Sequence, residues 1–152
     1  ELIETEMRLI AFYAANLAVP PRRNTKNPEV VEGGAVFANI GCAACHSPEQ
    51  PQDNGQTIAP YTDLLLHDMG EGLADGIAVG SASKREWRTA PLWGIGLTEI
   101  VSGHTFFLHD GRARNLTEAI LWHGGEGERS RNLFADLGPQ QRQNLLAFLN
   151  SL

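Results

Sequence analysis

Apolar residues recur at helical spacing in four stretches of the chain. Ile3, Met7, Ile10, Ala14 and Leu17 step by four and three, so residues 2–18 are predicted to form a helix with one apolar stripe. Core packing is the role expected of Met7 on that stripe. Pro20 and Pro21 stop the helix, because proline cannot continue one. Asn27-Pro28 restarts the pattern with an N-cap residue followed by proline at the first helical position, and Glu29 complements the dipole. This second helix is predicted to run through Val36, Phe37 and Ile40 and to end near Gly41. Asn115 followed by Glu118 resembles a capping box, and Leu116, Ile120 and His123 then share one face up to Gly124-Gly125. Pro139 opens a last helix whose buried side is Leu145, Leu146, Phe148, Leu149 and Leu152.

Between these helices the pattern fades. Residues 47–83 are rich in Gly, Pro, Asp and Ser with short apolar runs, which reads as a long irregular segment. Such a loop inside a compact domain needs a reason, and wrapping a large cofactor is one. One short helix is expected around residues 91–97 and another short piece at 130–136. No stretch alternates convincingly as a strand. The predicted class is mainly α.

Composition narrows the partners. The hydrophobic fraction of 42% is ordinary for a globular chain, and 152 residues suit a single core. A formal charge of -6 argues against a nucleic-acid binder, which carries a basic face. It suits docking to a basic redox partner. No run reaches the roughly 18 apolar residues of a membrane span. The opening "ELIETEMRLI" has neither a basic n-region nor an initiating Met, so a processed product or a piece of a longer chain is expected.

The chemistry concentrates in "NIGCAACHSP", where Cys42, Cys45 and His46 read C-x-x-C-H. That spacing signals c-type haem attachment. Two thiols add to the two vinyl groups of one porphyrin, and the adjacent imidazole lies under the iron as proximal ligand. A zinc site needs two further ligands at short spacing, and there is no second cysteine pair. A redox disulfide needs a βαβ context that this chain lacks. A haem also supplies core to a loop-rich chain. Its propionates need a cationic rim, for which Arg88, Arg112 and Arg114 are candidates.

The second axial ligand is Met, His or none. Met69 lies in the irregular region, 23 positions after His46. His67, His104 and His109 compete with it, and each lone histidine has an ordinary structural reading. His123 differs, because its helical face should point inward and a buried imidazole wants a partner. Trp87, Trp93 and Trp122 invite an electron-relay reading, but core packing is the plainer one.

"RTAPLWGIGLTE" followed by "FLHDGRARNLTEAILWHGG" resembles the C-terminal haem domain of bacterial di-haem cytochrome c peroxidases and their relatives. "YTDLLLHDMG", "EWRTAPLWG" and "EAILWHGGE" are closer still to the di-haem oxidoreductase branch, often labelled "thiol oxidoreductase". The resemblance covers roughly residues 10–152 and implies a pair of cytochrome c-like α domains with one haem each. This chain, with one C-x-x-C-H, then looks like the C-terminal half. Residues 1–26 would be an N-terminal helix and linker, ending a preceding domain or lying between domains, and 27–152 a cytochrome c-like haem domain.

The resemblance implies one covalent haem c with His46 proximal and His123 distal, and it puts Met69, the alternative, at a non-ligand position. It implies an N-terminal haem domain and a small redox protein as partners, while covalent haem attachment itself points to maturation outside the cytoplasm and so to a periplasmic location. The family's calcium-holding stretch is replaced here by "LTEIVSGHTFFLHDG", with an insertion and no proline, so calcium is doubtful. Nothing supports thiol chemistry, since haem would consume both cysteines. The expected function is electron transfer through a six-coordinate haem. The alternative is a catalytic, peroxidase-like haem with an open or exchangeable distal site, assisted by His104, His109 or Arg112. A metal-binding or structural domain without haem is the third possibility.

Overall fold

A computed structural model describes residues 3–152, and the predicted start of the first helix at residue 2 lies outside them. Among the described residues the chain is mainly α. It forms α1 (Glu4–Ala15), α2 (Pro28–Asn39), α3 (Thr98–Ser102), α4 (Leu116–Leu121), α5 (Glu128–Asp136) and α6 (Pro139–Ser151). Four short strands accompany them: β1 (Gln50–Pro51), β2 (Thr57–Ile58), β3 (Leu66–Asp68) and β4 (Glu86–Arg88). β1 pairs with β2 and β3 with β4, both antiparallel, with His67 opposite Trp87. The strands were illegible because alternation needs at least four residues to show, and these have two or three.

The crossing of α2 and α6 builds the core. Val30, Phe37 and Ile40 meet Leu145, Phe148 and Leu149, with Phe134 of α5 and Leu116 of α4 closing the cluster. Gly33 is the point of closest approach: a Cβ there would lie 1.9 Å from the Asn144 carbonyl oxygen and 2.7 Å from Phe148 Cβ. The Asn144 side chain, buried at this crossing, donates to Glu32 at 2.6 Å and so does not go unpaired. The N-terminal signals work as read. Asn27 accepts from the Glu29 N–H at 2.9 Å, and Asn115 accepts from the Glu118 N–H at 2.9 Å. Glu118 does not close the capping box, however; its carboxylate pairs with Arg114.

Two expectations need correction. The stripe of α1 packs on nothing: no α1 side chain is buried, and Met7 is 51% exposed rather than in the core. Periodicity reports that a face is apolar, not what covers it. The short helix expected at 91–97 lies further on. Residues Ile95–Leu97 form a single 3-10 turn and the α-helix is Thr98–Ser102. Gly94 has φ +74°, outside helical space, and Gly96 abuts the Asn150 carbonyl, which holds this turn against the end of α6.

Candidate functional site

The left-handed Gly41 (φ +90°) ends α2 and turns the chain into the 3-10 turn Cys42–Ala44. Cys42 and Cys45 are both free and partly buried. Burial pushes the Cys42 thiol up to about 11, and burial followed by Asp63 and Glu126 raises that of Cys45. Both are therefore protonated thiols at neutral pH in the metal-free chain.

His46 follows at once. Its Nδ1 lies 3.1 Å from the Tyr61 carbonyl oxygen, which fixes the ring and leaves Nε2 for a ligand bond. Tyr61 adopts a left-handed backbone (φ 56°), a costly conformation for an aromatic residue and one that belongs to the turn presenting this carbonyl. Phe37 packs against both rings, at 6.5 Å from His46 and 6.1 Å from Tyr61 between centroids. Burial pushes the His46 imidazole down to about 4, so it is neutral over the physiological range and its lone pair is available.

His123 stands across from it. It lies just beyond α4, with Leu116 buried and Ile120 packed on the core along the face foreseen from the sequence. Its Nδ1 lies 2.8 Å from the Ala119 carbonyl oxygen, and burial lowers its pKa too. The two imidazole centroids are 6.4 Å apart. Two metal–nitrogen bonds of about 2 Å, plus about 1.1 Å from each nitrogen to its ring centre, give about 6.2 Å for imidazoles sharing one metal. Two pinned, neutral, half-buried imidazoles at this spacing, beside two free thiols, are a donor set that fits a covalently attached haem. Leu64 and Leu65, next along the chain from Asp63, are 56% and 60% exposed.

Met69 is close to the distal side. A Cβ on Gly127 would lie 3.2 Å from both the Met69 methyl and His123 Cδ2. The two distal candidates therefore flank the same glycine. The remaining sequence candidates are spread out. Arg112 bonds Asp110 at 2.6 Å and the Gly72 carbonyl, and its guanidinium lies 4.9 Å over the Trp122 ring, next to His123 in the chain. Arg114 is tied to Glu118, and Arg88 is exposed on β4. His109 stacks on Trp87 at 3.6 Å, and the exposed His104 stacks on Phe106 at 5.1 Å. The Trp87 indole donates to the Leu73 carbonyl, and Trp93 lines an apolar cavity of about 200 Å³ with Val19, Ile58 and Tyr61.

One further cluster was not foreseen. Cys45 Sγ, an Asp63 oxygen and a His67 nitrogen lie within 4.8 Å of one another. His67 Nε2 is 2.8 Å from Asp63 and its Nδ1 is 2.8 Å from Glu126. Glu126 and Asp63 raise the His67 pKa. In this arrangement both ring nitrogens are engaged by carboxylates, so His67 is held between Asp63 and Glu126. The i, i+4 spacing of Asp63 and His67 was visible in "DLLLH", but Glu126 lies 59 positions away and gave no signal.

A family model described as "Di-haem oxidoreductase, putative peroxidase" matches residues 4–152. No curated protein and no solved structure matches the chain.

Proposed function

Because the chain belongs to the di-haem oxidoreductase family, we propose that it is the c-type haem domain of a di-haem protein and that its own haem transfers electrons. Cys42 and Cys45 are the thioether attachment points, His46 is the proximal ligand and His123 the distal one. The observation that carries this reading is the His46–His123 pair, 6.4 Å between centroids with each Nδ1 held by a backbone carbonyl.

When bound, a haem supplies a one-electron iron couple. The chain does the rest. The Tyr61 and Ala119 carbonyls orient the imidazoles and make them better donors. Phe37, Tyr61 and Phe148, with centroids 5.2–6.1 Å apart, form the apolar wall behind His46 and exclude water there. With His123 on the distal side, peroxide has no open position, which favours electron transfer over peroxidase chemistry in this domain. His123 is preferred to Met69 because the Ala119 bond fixes its ring and leaves Nε2 free, and its centroid distance to His46 suits a shared metal.

The partner of this domain is a second haem domain of the same protein. Residues 1–26 belong to their junction, which accounts for Phe12 at 68% and Tyr13 at 67% exposure on α1. A small basic redox protein supplies or accepts electrons, in keeping with a charge of -6. Covalent haem attachment implies maturation in the periplasm, and no helix among the described residues is long and apolar enough to cross a membrane.

The test is the absorption spectrum of the oxidised haem protein before and after cyanide or peroxide. A low-spin spectrum that neither ligand moves is expected. A high-spin spectrum that shifts on cyanide would support the peroxidase-like alternative and sink the electron-transfer reading.

A further inference from the structure

His46 and His123 come from parts of the chain 77 positions apart, and their separation has to be fixed by something other than local helix geometry. The loop Tyr61–Asp63 belongs to the proximal side. Its Tyr61 carbonyl accepts from His46, and its Asp63 N–H donates to the Cys45 carbonyl at 2.8 Å. The turn Gly124–Gly127 belongs to the distal side, directly after His123.

His67 stands between them. Its Nε2 is 2.8 Å from Asp63 Oδ2, and its Nδ1 is 2.8 Å from Glu126 Oε2. Carboxylates only accept, so both ring nitrogens donate. The other Glu126 oxygen accepts from the Asp68 N–H at 2.9 Å. The turn has no slack against β3: a Cβ on Gly125 would lie 2.1 Å from the Asp68 carbonyl oxygen, and one on Gly124 2.8 Å from that of Met69. β3 is itself held in register by β4.

We infer that His67 is a positioning residue that joins the haem-attachment loop to the distal turn through Asp63 and Glu126 and so holds His123 in place on the iron. The inference rests on the His46/His123 reading given above. It also fixes a charge arrangement. One cation lies between two carboxylates, with Asp63 and His67 both within 4.8 Å of Cys45 Sγ. Removing the cation leaves two negative charges beside the haem and favours the oxidised iron. Removing Glu126 does the reverse.

Two variants of the haem-loaded protein test it, His67→Phe and Glu126→Ala. The first keeps a planar ring without N–H groups, and the second alters a side chain that is 55% exposed. Cyanide binding to the oxidised haem is expected to be at least tenfold faster in both than in the parent. The reduction potential is expected to fall in His67→Phe and to rise in Glu126→Ala, a split in sign that a merely structural role does not produce. If His67→Phe does not load haem, Glu126→Ala decides alone. Cyanide rates and potentials equal to the parent's, in a protein whose low-spin spectrum is lost in His123→Ala, overturn the clamp and leave the ligand reading standing. A low-spin spectrum unchanged in His123→Ala overturns both.

Discussion

Replacing Gly33 by Ala tests the packing on which the proximal side rests. Gly33 lies inside α2, where glycine costs about 1 kcal/mol relative to alanine. Propensity alone thus predicts that Gly33→Ala stabilises the protein. The structure predicts the opposite. The new Cβ would sit 1.9 Å from the Asn144 carbonyl oxygen, 2.5 Å from its carbonyl carbon and 2.7 Å from Phe148 Cβ. A comfortable C···O contact needs about 3.3 Å, so α2 and α6 must part by more than about 1 Å. Backbone atoms cannot swing aside as a side-chain end can. A gap of that size forfeits roughly half of each dispersion contact across the interface, and overpacking of this kind costs about 3 kcal/mol.

Subtracting the propensity gain leaves a net loss of about 2 kcal/mol, or roughly 4–8 °C in Tm for a domain of this size. Gly34→Ala is the control. It makes the same propensity gain, but its Cβ meets only two Phe148 ring carbons at 3.3 Å, which a small ring shift relieves. That variant should be neutral or stabilised by up to about 1 kcal/mol. Thermal and denaturant unfolding followed by circular dichroism measure both. A Gly33→Ala protein that melts no lower than Gly34→Ala would refute the reasoning.

Three other outcomes follow from the site. Replacing Cys42 alone should leave the haem attached through one thioether, and only the double replacement of Cys42 and Cys45 should remove haem from the denatured chain by intact mass; haem lost from the single variant would contradict the attachment scheme. Met69→Leu should leave the low-spin spectrum unchanged, whereas conversion to high spin would transfer the distal role to Met69. The His67 pKa is raised above 6.5 by Glu126 and then Asp63, so its stabilisation is complete below pH 6.5 and fades as pH rises through the folded value. The stability advantage of the parent over His67→Phe, read from denaturant midpoints, should therefore shrink on going from pH 6 to pH 9; a constant or growing advantage would mean that the ring is not held as a cation.

The parts of this fold that were legible in the sequence are those set by local chemistry. Asn27-Pro28, Asn115 and Pro139 mark helix starts because an N-cap acceptor and a missing N–H act within one turn. C-x-x-C-H and the inward face of Leu116, Ile120 and His123 were legible for the same reason. What stayed hidden depends on distance along the chain. The Tyr61 carbonyl that holds His46 is 15 positions away and carries no side-chain signature. The pairing of Leu66–Asp68 with Glu86–Arg88 spans too few residues to alternate. His67 could be seen as a stray histidine, but not as a bridge to Glu126. The stripe of α1 is apolar as read, but the core role expected of Met7 is not met within this domain, since Ile3, Met7 and Ile10 are at least half exposed.

The most direct test of the central claim is electron paramagnetic resonance of the oxidised haem protein beside its His123→Ala variant. Two histidines on one iron predict a low-spin ferric signal in the parent that becomes high-spin in the variant. A high-spin parent, or a low-spin signal that survives the loss of His123, would contradict it.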